Sequence, residues 1–402
     1  MDSTQDKAAD ADLANATSRP AMTAEKRVDW MQTFGLREMG VFYALLILVV
    51  VLSITTAMLG RANYLSVLNV MNVLYQSSLI GFMAVAMTVI LISGNFDLSV
   101  ASVAALSAAV FVGSANAMGL GGAFVMAMGT AIIAGVVNGS IVQFLGINAF
   151  IVTLGSLTAI RGLVLIYTDG ASLTIKDPAV EQALRVFESN RVDVGIALTV
   201  LAVLLLVLGI VKLVRAGGLR PSSLGLLLSG AAIMAFAFAA GFEVMVKKPV
   251  IYLALFTTAV WFVLRFTSVG RRIYAVGGNP EAARLSGINV TQYKLMAFVF
   301  CSATAGFAGI LFAARLRSMN PTGLQGAELT VIAAAILGGT SLFGGAGSVV
   351  KTVGGALVLY SLTNGFNILN LGANYQGLIE GVVVVAAAAI YTVGGRGAGK
   401  GK

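Results

Sequence analysis

The sequence predicts an all-α, polytopic integral membrane protein with about twelve transmembrane helices, some short or broken. Three observations carry this. Hydrophobic residues make up 58% of the 402 and charged residues 11%, with mean hydropathy +0.92; soluble domains carry roughly 25% charged residues. The apolar runs are continuous rather than alternating at every second residue, which excludes the strands of a membrane barrel. Lipid offers the backbone no hydrogen bonds, and a helix satisfies its own groups within one segment.

The elements follow in order. Residues 1–40 are polar and mixed in charge, without an apolar run. They read as a disordered cytoplasmic tail, and no secretory signal is expected. The membrane domain occupies 41–394. Its candidate crossings are 41–59, 74–92, 98–118, 123–145, 150–168, 194–214, 224–242, 249–266, 295–314, 329–343, 352–369 and 378–393.

The longest predicted external loop, 169–193, contains KDPAVEQALRVFES at 176–189. Pro178 suits a first helical turn and Asp177 its cap. Val180, Ala183, Leu184 and Phe187 then share one face, with Glu181, Arg185 and Glu188 on another, as in a short amphipathic helix. The run 329–343 is short and leads into LGGTSLFGGAG at 337–347. So many glycines predict a broken or re-entrant segment, tolerated at membrane depth only where protein or water satisfies the backbone. Residues 395–402 are a basic cytoplasmic tail. They imitate the spacing of a phosphate-binding loop, but Gly401 stands where Ser or Thr would bind magnesium. ATP hydrolysis would therefore fall to another polypeptide.

The formal charge of +9 reports topology rather than nucleic-acid binding. With the N-terminus inside and twelve spans, seventeen of the 26 Lys and Arg fall inside and eight outside, Arg161 lying within a span. Both termini are then cytoplasmic, in the inner (plasma) membrane of a bacterial cell. Cys301 is the single cysteine and there is no His, so an intrachain disulfide is impossible and a metal site is not expected. No catalytic constellation or cofactor motif is present, and the chain is not expected to be an enzyme.

Ionisable and polar groups at membrane depth are the candidate pathway or structural residues. Asp97 is placed to cap a helix starting at Leu98. Arg161 is expected to snorkel or pair with Asp169, and Glu380 to reach the interface at the end of the last span. Asn148, Thr153, Thr340 and Ser341, with Asn138, Ser156 and Thr158, offer sugar-compatible donors and acceptors, although each also suits a helix–helix hydrogen bond.

A polar interruption, GRRIYAVGGNPEAARLSGINVT at 270–291, lies between two crossings. Asn279 and Pro280 can open a short helix, Glu281 and Arg284 suit its two dipole ends, and Gly287 can close it. A compact, basic, partly helical loop on a chain without catalytic groups suggests a docking element.

Four stretches now stand in order: GNFDLSVAS (94–102), INAFIVTLGSLTAIRGL (147–163), GRRIYAVGGNPEAARLSGIN (270–289) and AAAILGGTSLFGGAGSV (333–349). This series resembles the permease subunits of ribose- and xylose-type ABC sugar importers over residues 41–394. The pair 194–242 looks like an added hairpin, which favours the longer xylose-type branch. Asn95, Phe96 and Ala101 depart from the family's usual Gly-Gly-Ile-Asp-Leu-Ser-Val-Gly.

The resemblance implies a permease for a monosaccharide, a pentose such as xylose, working as a homodimer. Its partners would be a sugar-type ABC ATPase and an extracytoplasmic sugar-binding protein. Gly278, Asn279, Pro280, Glu281, Ala282, Ala283, Arg284, Leu285, Ser286, Gly287 and Ile288 would form the segment seated in the ATPase. The alternative is an ion-coupled secondary sugar transporter, which would favour buried carboxylate or His pairs that the sequence scarcely offers.

Overall fold

A computed structural model describes residues 36–371 apart from 217 and 219, together with 375, 377, 378, 381, 382 and 385. Residues 1–35 and 395–402 of the two tails, most of the crossing at 378–393 and Glu380 lie outside the described residues, while residues 36–40, read as tail, are the first of a helix.

The described residues are helical almost throughout. α1 (Leu36–Met58), α2 (Val67–Ile92), α3 (Val100–Phe144) and α4 (Ala149–Thr168) come first. After β1 (Leu173–Thr174) follow α5 (Pro178–Leu184), β2 (Arg191–Asp193), α6 (Gly195–Arg215), α7 (Pro221–Ala239) and β3 (Met245–Lys247). The chain continues through α8 (Lys248–Phe266), α9 (Ser268–Gly278), α10 (Pro280–Leu285), α11 (Val290–Leu316), β4 (Ser318–Met319), α12 (Ala327–Leu337) and α13 (Val349–Leu369). Eight helices are long and apolar enough to cross a membrane among the described residues.

The 45 residues of α3 would make a straight rod roughly twice the bilayer core in length. Instead the helix breaks at Gly119, with φ 69° and ψ −179°. The Ser107 hydroxyl donates to the Ala127 carbonyl at 3.1 Å, so the two halves fold back on each other. They correspond to the separate crossings predicted at 98–118 and 123–145. The predicted crossing at 329–343 contains only the short α12, followed by an irregular glycine turn that ends at α13.

α2, the first half of α3 and α11 form the centre, where α2 is buried almost all round. Small residues let α3 and α11 approach closely, as lipid-embedded helices require. A Cβ on Gly309 would lie 2.0 Å from the Ala104 carbonyl oxygen, and one on Gly306 2.3 Å from the Ala131 Cβ. Phe82 of α2 packs against Phe256 of α8 and Phe307 of α11, each at a centroid distance of 5.2 Å.

α6 and α7 form a separate hairpin that packs mainly against itself. Gly230 admits the Ala202 carbonyl and Gly209 the Leu227 side chain at that contact. Its base is held by the antiparallel β2–β3 ribbon, Arg191 opposite Lys247 and Asp193 opposite Met245. There the Asp193 carboxylate accepts from the Gly195 and Val244 amides at 2.8 and 3.1 Å.

The predicted surface helix forms as α5, with the Asp177 carboxylate accepting from the Ala179 amide at 2.8 Å and Val180 and Leu184 buried. One residue departs. Glu188 was expected on the polar face but is 1% exposed. A single π-helical turn over Arg185–Ser189 continues α5 and breaks the 3.6-residue period that the expectation assumed.

Candidate functional site: a docking helix on a glycine junction

α9, α10 and the start of α11 build the polar segment. The Thr267 hydroxyl caps α9 by accepting from the Gly270 amide at 3.3 Å. Asn279 accepts from the Ala282 amide at 3.0 Å, and Pro280 occupies the first turn of α10. The Gly287 amide donates to the Arg284 carbonyl at 2.9 Å and the Ile288 amide to Ala283 at 3.0 Å, with Gly287 at φ +77°. This paired closure needs a left-handed residue, which explains the glycine. Asn289 then caps α11 through the Gln292 amide at 3.0 Å.

Ala283 is the residue of α10 that turns inward, against Val276 and Val290. Glu281, Ala282 and Arg284 face out, and Leu285 is 86% exposed. The Arg272 guanidinium donates to the Tyr293 hydroxyl at 3.1 Å and braces α9 against α11. α10 is thus a short capped helix with an apolar tip and both signs of charge, standing on a rigid base.

The base is made of backbone. A Cβ on Gly277 would lie 1.7 Å from the Ile92 carbonyl oxygen, and one on Gly344 3.0 Å from the Gly94 Cα and 2.5 Å from the Gly277 carbonyl oxygen. A Cβ on Gly345 would meet the Gly278 Cα at 2.6 Å. The Gly345 amide donates to the Ile92 carbonyl at 2.9 Å. The end of α2, the root of α10 and the turn between α12 and α13 therefore meet without intervening side chains. Three of the four sequence stretches converge at this point. The Tyr274 hydroxyl donates to the Gly347 carbonyl at 2.9 Å beside it, and burial raises that phenol above its ordinary pKa.

The candidate pathway residues are not gathered in one place. Asp97 is fully buried, but the expected cap at Leu98 is not what it makes. α3 starts at Val100, and Asp97 Oδ1 accepts from the Ser99 amide and hydroxyl at 2.9 and 2.6 Å within the preceding turn. Asp97 Oδ2 has no partner among the described residues. The Ser99 hydroxyl in turn accepts from Asn138 at 2.9 Å, and Ser156 donates to the Asn138 carbonyl at 2.5 Å. These bonds connect the first stretch to the second through both halves of α3.

Arg161 does not pair with Asp169. Its guanidinium donates to the Gly323 and Pro321 carbonyls at 2.8 and 3.4 Å, with Glu328 nearby, and so pins the turn before α12. That turn lies more than 150 residues away in sequence, whereas the expectation weighed snorkelling or a local partner. Asn148 caps α4 through the Phe150 amide at 2.8 Å, and Thr153 donates to Ala149 at 2.8 Å within its own helix. Thr158 likewise bonds back to Leu154. The buried Thr340 hydroxyl has no partner among the described residues, and the Ser341 hydroxyl accepts from the Phe343 amide at 3.2 Å.

At the opposite end of α2 the structure reveals a cluster the sequence did not announce. The Tyr75 hydroxyl donates to the Glu188 carboxylate, whose other oxygen accepts from Ser189 at 2.7 Å. Lys247 and Arg315 lie over the Tyr75 ring at 3.9 and 4.3 Å. Burial lowers the Lys247 pKa, opposed by the Glu188 charge. A cavity of about 210 Å³ adjoins the cluster, with Asn72, Arg191 and Glu243 in its wall. The four residues come from four separate segments, so only an amphipathic reading of 176–189 could have pointed here.

Eight apolar helices of membrane-crossing length, a core of close glycine contacts and a short exposed capped helix suit a component of a membrane transport system. The chain belongs to the permease family described as "branched-chain amino acid transport system / permease component", whose model matches residues 69–388. It is 34% identical to the ribose import permease protein RbsC of Escherichia coli K12 over 86% of this chain and 90% of that one. It is 31% identical to RbsC of Bacillus subtilis 168 over 91% and 95%, respectively. It is 32% identical to the xylose transport system permease protein XylH of E. coli K12 over 81% and 84%. No solved structure matches the chain.

Proposed function

We propose that this chain forms the translocation pathway of an ATP-driven importer for a monosaccharide, as a homodimer in the inner membrane with both termini cytoplasmic. A separate ABC ATPase would seat Gly278 to Ile288, and a sugar-binding protein would dock on the opposite face. The carrying observation is α10, a capped helix with Leu285 exposed, set directly on the glycine junction with α2. A push on α10 would pass into a central helix without compressing flexible side chains. XylH and the added α6–α7 hairpin support xylose as the first sugar to test. RbsC puts ribose in the same panel.

The experiment is ATPase activity in proteoliposomes holding this chain, its ATPase and its binding protein. A sugar of the panel should stimulate hydrolysis. Replacing residues 279–284 by a flexible linker should abolish that stimulation in a complex that still assembles. The second reading, ion-coupled transport, draws on Asp97, a fully buried carboxylate with one oxygen unpartnered among the described residues. Uptake that persists without ATP and collapses with the proton gradient would replace the first reading by the second.

A further inference from the structure

We propose that a basic cleft behind α9 binds the phosphate headgroup of an anionic phospholipid. The cleft encloses about 770 Å³ between α8 and α9 on one side and the 338–348 turn with the start of α13 on the other. Arg265, Arg271 and Lys351 all line it and no Asp or Glu does, although Lys351 already has an interaction of its own, so the two arginines carry the argument. Neither arginine forms a carboxylate ion pair among the described residues. Cations gathered around one cavity repel each other, and an anion between them removes that cost. The first turn of α13 belongs to the same wall, and its Ser348 supplies no side-chain cap. A helix start adds to the preference for an anion.

The apolar wall decides between a free phosphate and a lipid. Trp261 and Leu264 line the cleft. Phe266 packs on the Trp261 ring at a centroid distance of 5.3 Å, and along the same helix Phe262, Phe266 and Leu255 are 55%, 56% and 65% exposed. A phosphate would use the cations alone, whereas a phospholipid uses the cations for its headgroup and α8 for its chains. Tryptophan favours the depth of lipid headgroups, and basic pockets between membrane helices suit them. A bound headgroup would bridge α9 to the turn that already accepts the Tyr274 hydrogen bond at Gly347. The inference stands on the cleft and not on the coupling reading, so either can fail alone.

The test is native mass spectrometry of the full-length chain released from nanodiscs of equimolar dioleoyl phosphatidylglycerol and phosphatidylcholine. The wild-type chain should retain phosphatidylglycerol preferentially. Arg265→Gln/Arg271→Gln should lower that retention at least about five-fold, and Lys212→Gln/Arg215→Gln, equal in charge at the end of α6, should leave it unchanged. Equal retention of both lipids, or equal loss in both variants, would overturn the proposal. Displacement by excess inorganic phosphate would reassign the cleft to a soluble ligand. Because the double variant could misfold, wild-type chain is also photo-crosslinked to phosphatidylglycerol carrying a diazirine near its headgroup. Adducts mapping to Trp261–Leu264 support the site, and adducts confined to other helices overturn it.

Discussion

The two ends of α2 are held by opposite means. Near its start, Tyr75 is fixed by side chains: a carboxylate on its hydroxyl and two cations on its ring. At its finish, Ile92 and Gly94 touch Gly277, Gly344 and Gly345 backbone to backbone. Side-chain contacts can break and reform by rotamer changes of modest cost. A junction of glycines has no rotamers to change, so its parts move together or come apart. The difference assigns a rigid linkage to the end that carries α10 and an adjustable one to the end facing the β2–β3 ribbon.

The largest effect should come from adding one methyl group to the rigid end. Gly277→Ala puts a Cβ 1.7 Å from the Ile92 oxygen, where neither backbone can yield without displacing α2 or α9. Overpacking of this kind costs about 1–3 kcal/mol or more. The expected outcome is loss of sugar-stimulated ATPase together with a lowered melting temperature in detergent. Gly129→Ala is the control, since a Cβ there meets nothing within 4 Å; it should leave both unchanged or raise stability slightly. Equal behaviour of the two variants would dissolve the contrast.

The adjustable end should respond less, and through charge. Glu188→Gln keeps a hydrogen-bond acceptor for Tyr75 but leaves Lys247 and Arg315 around the ring without their carboxylate. A hydrogen bond to a charged group is worth about 1.5–3 kcal/mol, so thermal stability should fall by less than that. Tyr75→Phe should fall by a similar amount and, in a double-mutant cycle with Glu188→Gln, add little. Full additivity, measured by thermal unfolding, would mean that the two do not act as one unit.

How much of this was legible in the sequence depends on the distance a signal has to travel. Caps at Asp177 and Asn279, the first-turn prolines and the closing Gly287 all formed as read, because each rule concerns neighbours within a few residues. The apolar runs gave the helices, and the break at Gly119 fell between two predicted crossings. The pairing of Arg161 with Asp169 and the polar placing of Glu188 failed for one reason. Their partners, Gly323 and Tyr75, are far off in the chain, and helical periodicity carries no information about them. The glycine junction was half visible: the density of glycine at 337–347 marked irregular backbone but not what lay against it.

A smaller effect belongs to α10 itself. Asn279→Ala removes the acceptor for the Ala282 amide, a change worth about 0.5–2 kcal/mol at a helix start. α10 is only six residues long, so its order depends on this cap and the closure at Gly287. Sugar-stimulated ATPase should fall several-fold while the melting temperature of the whole chain barely moves. Asn279→Asp should restore it, because a carboxylate accepts the same bond and favours the dipole. Failure of Asp to rescue would show that Asn279 acts through some contact other than the cap.

The smallest effect should appear at Glu181, on the same side of the molecule as the adjustable end but at its surface. Its carboxylate accepts from Arg185 at 3.0 Å and from Arg317 at 2.9 Å, tying α5 to the start of β4. The Arg185 hydrogen bond and the Arg317 charge hold its pKa below the ordinary glutamate value. A carboxyl depressed on folding stabilises above its unfolded pKa, and that contribution is lost as pH falls through the folded one. Solvent screens an exposed pair, so the gain is small. The melting-temperature difference between wild type and Glu181→Gln should therefore be slight and constant at neutral pH, then shrink to nothing below the depressed pKa. A difference that instead grew on acidification would mean that protonated Glu181 is the stabilising form, which two flanking guanidinium groups make untenable.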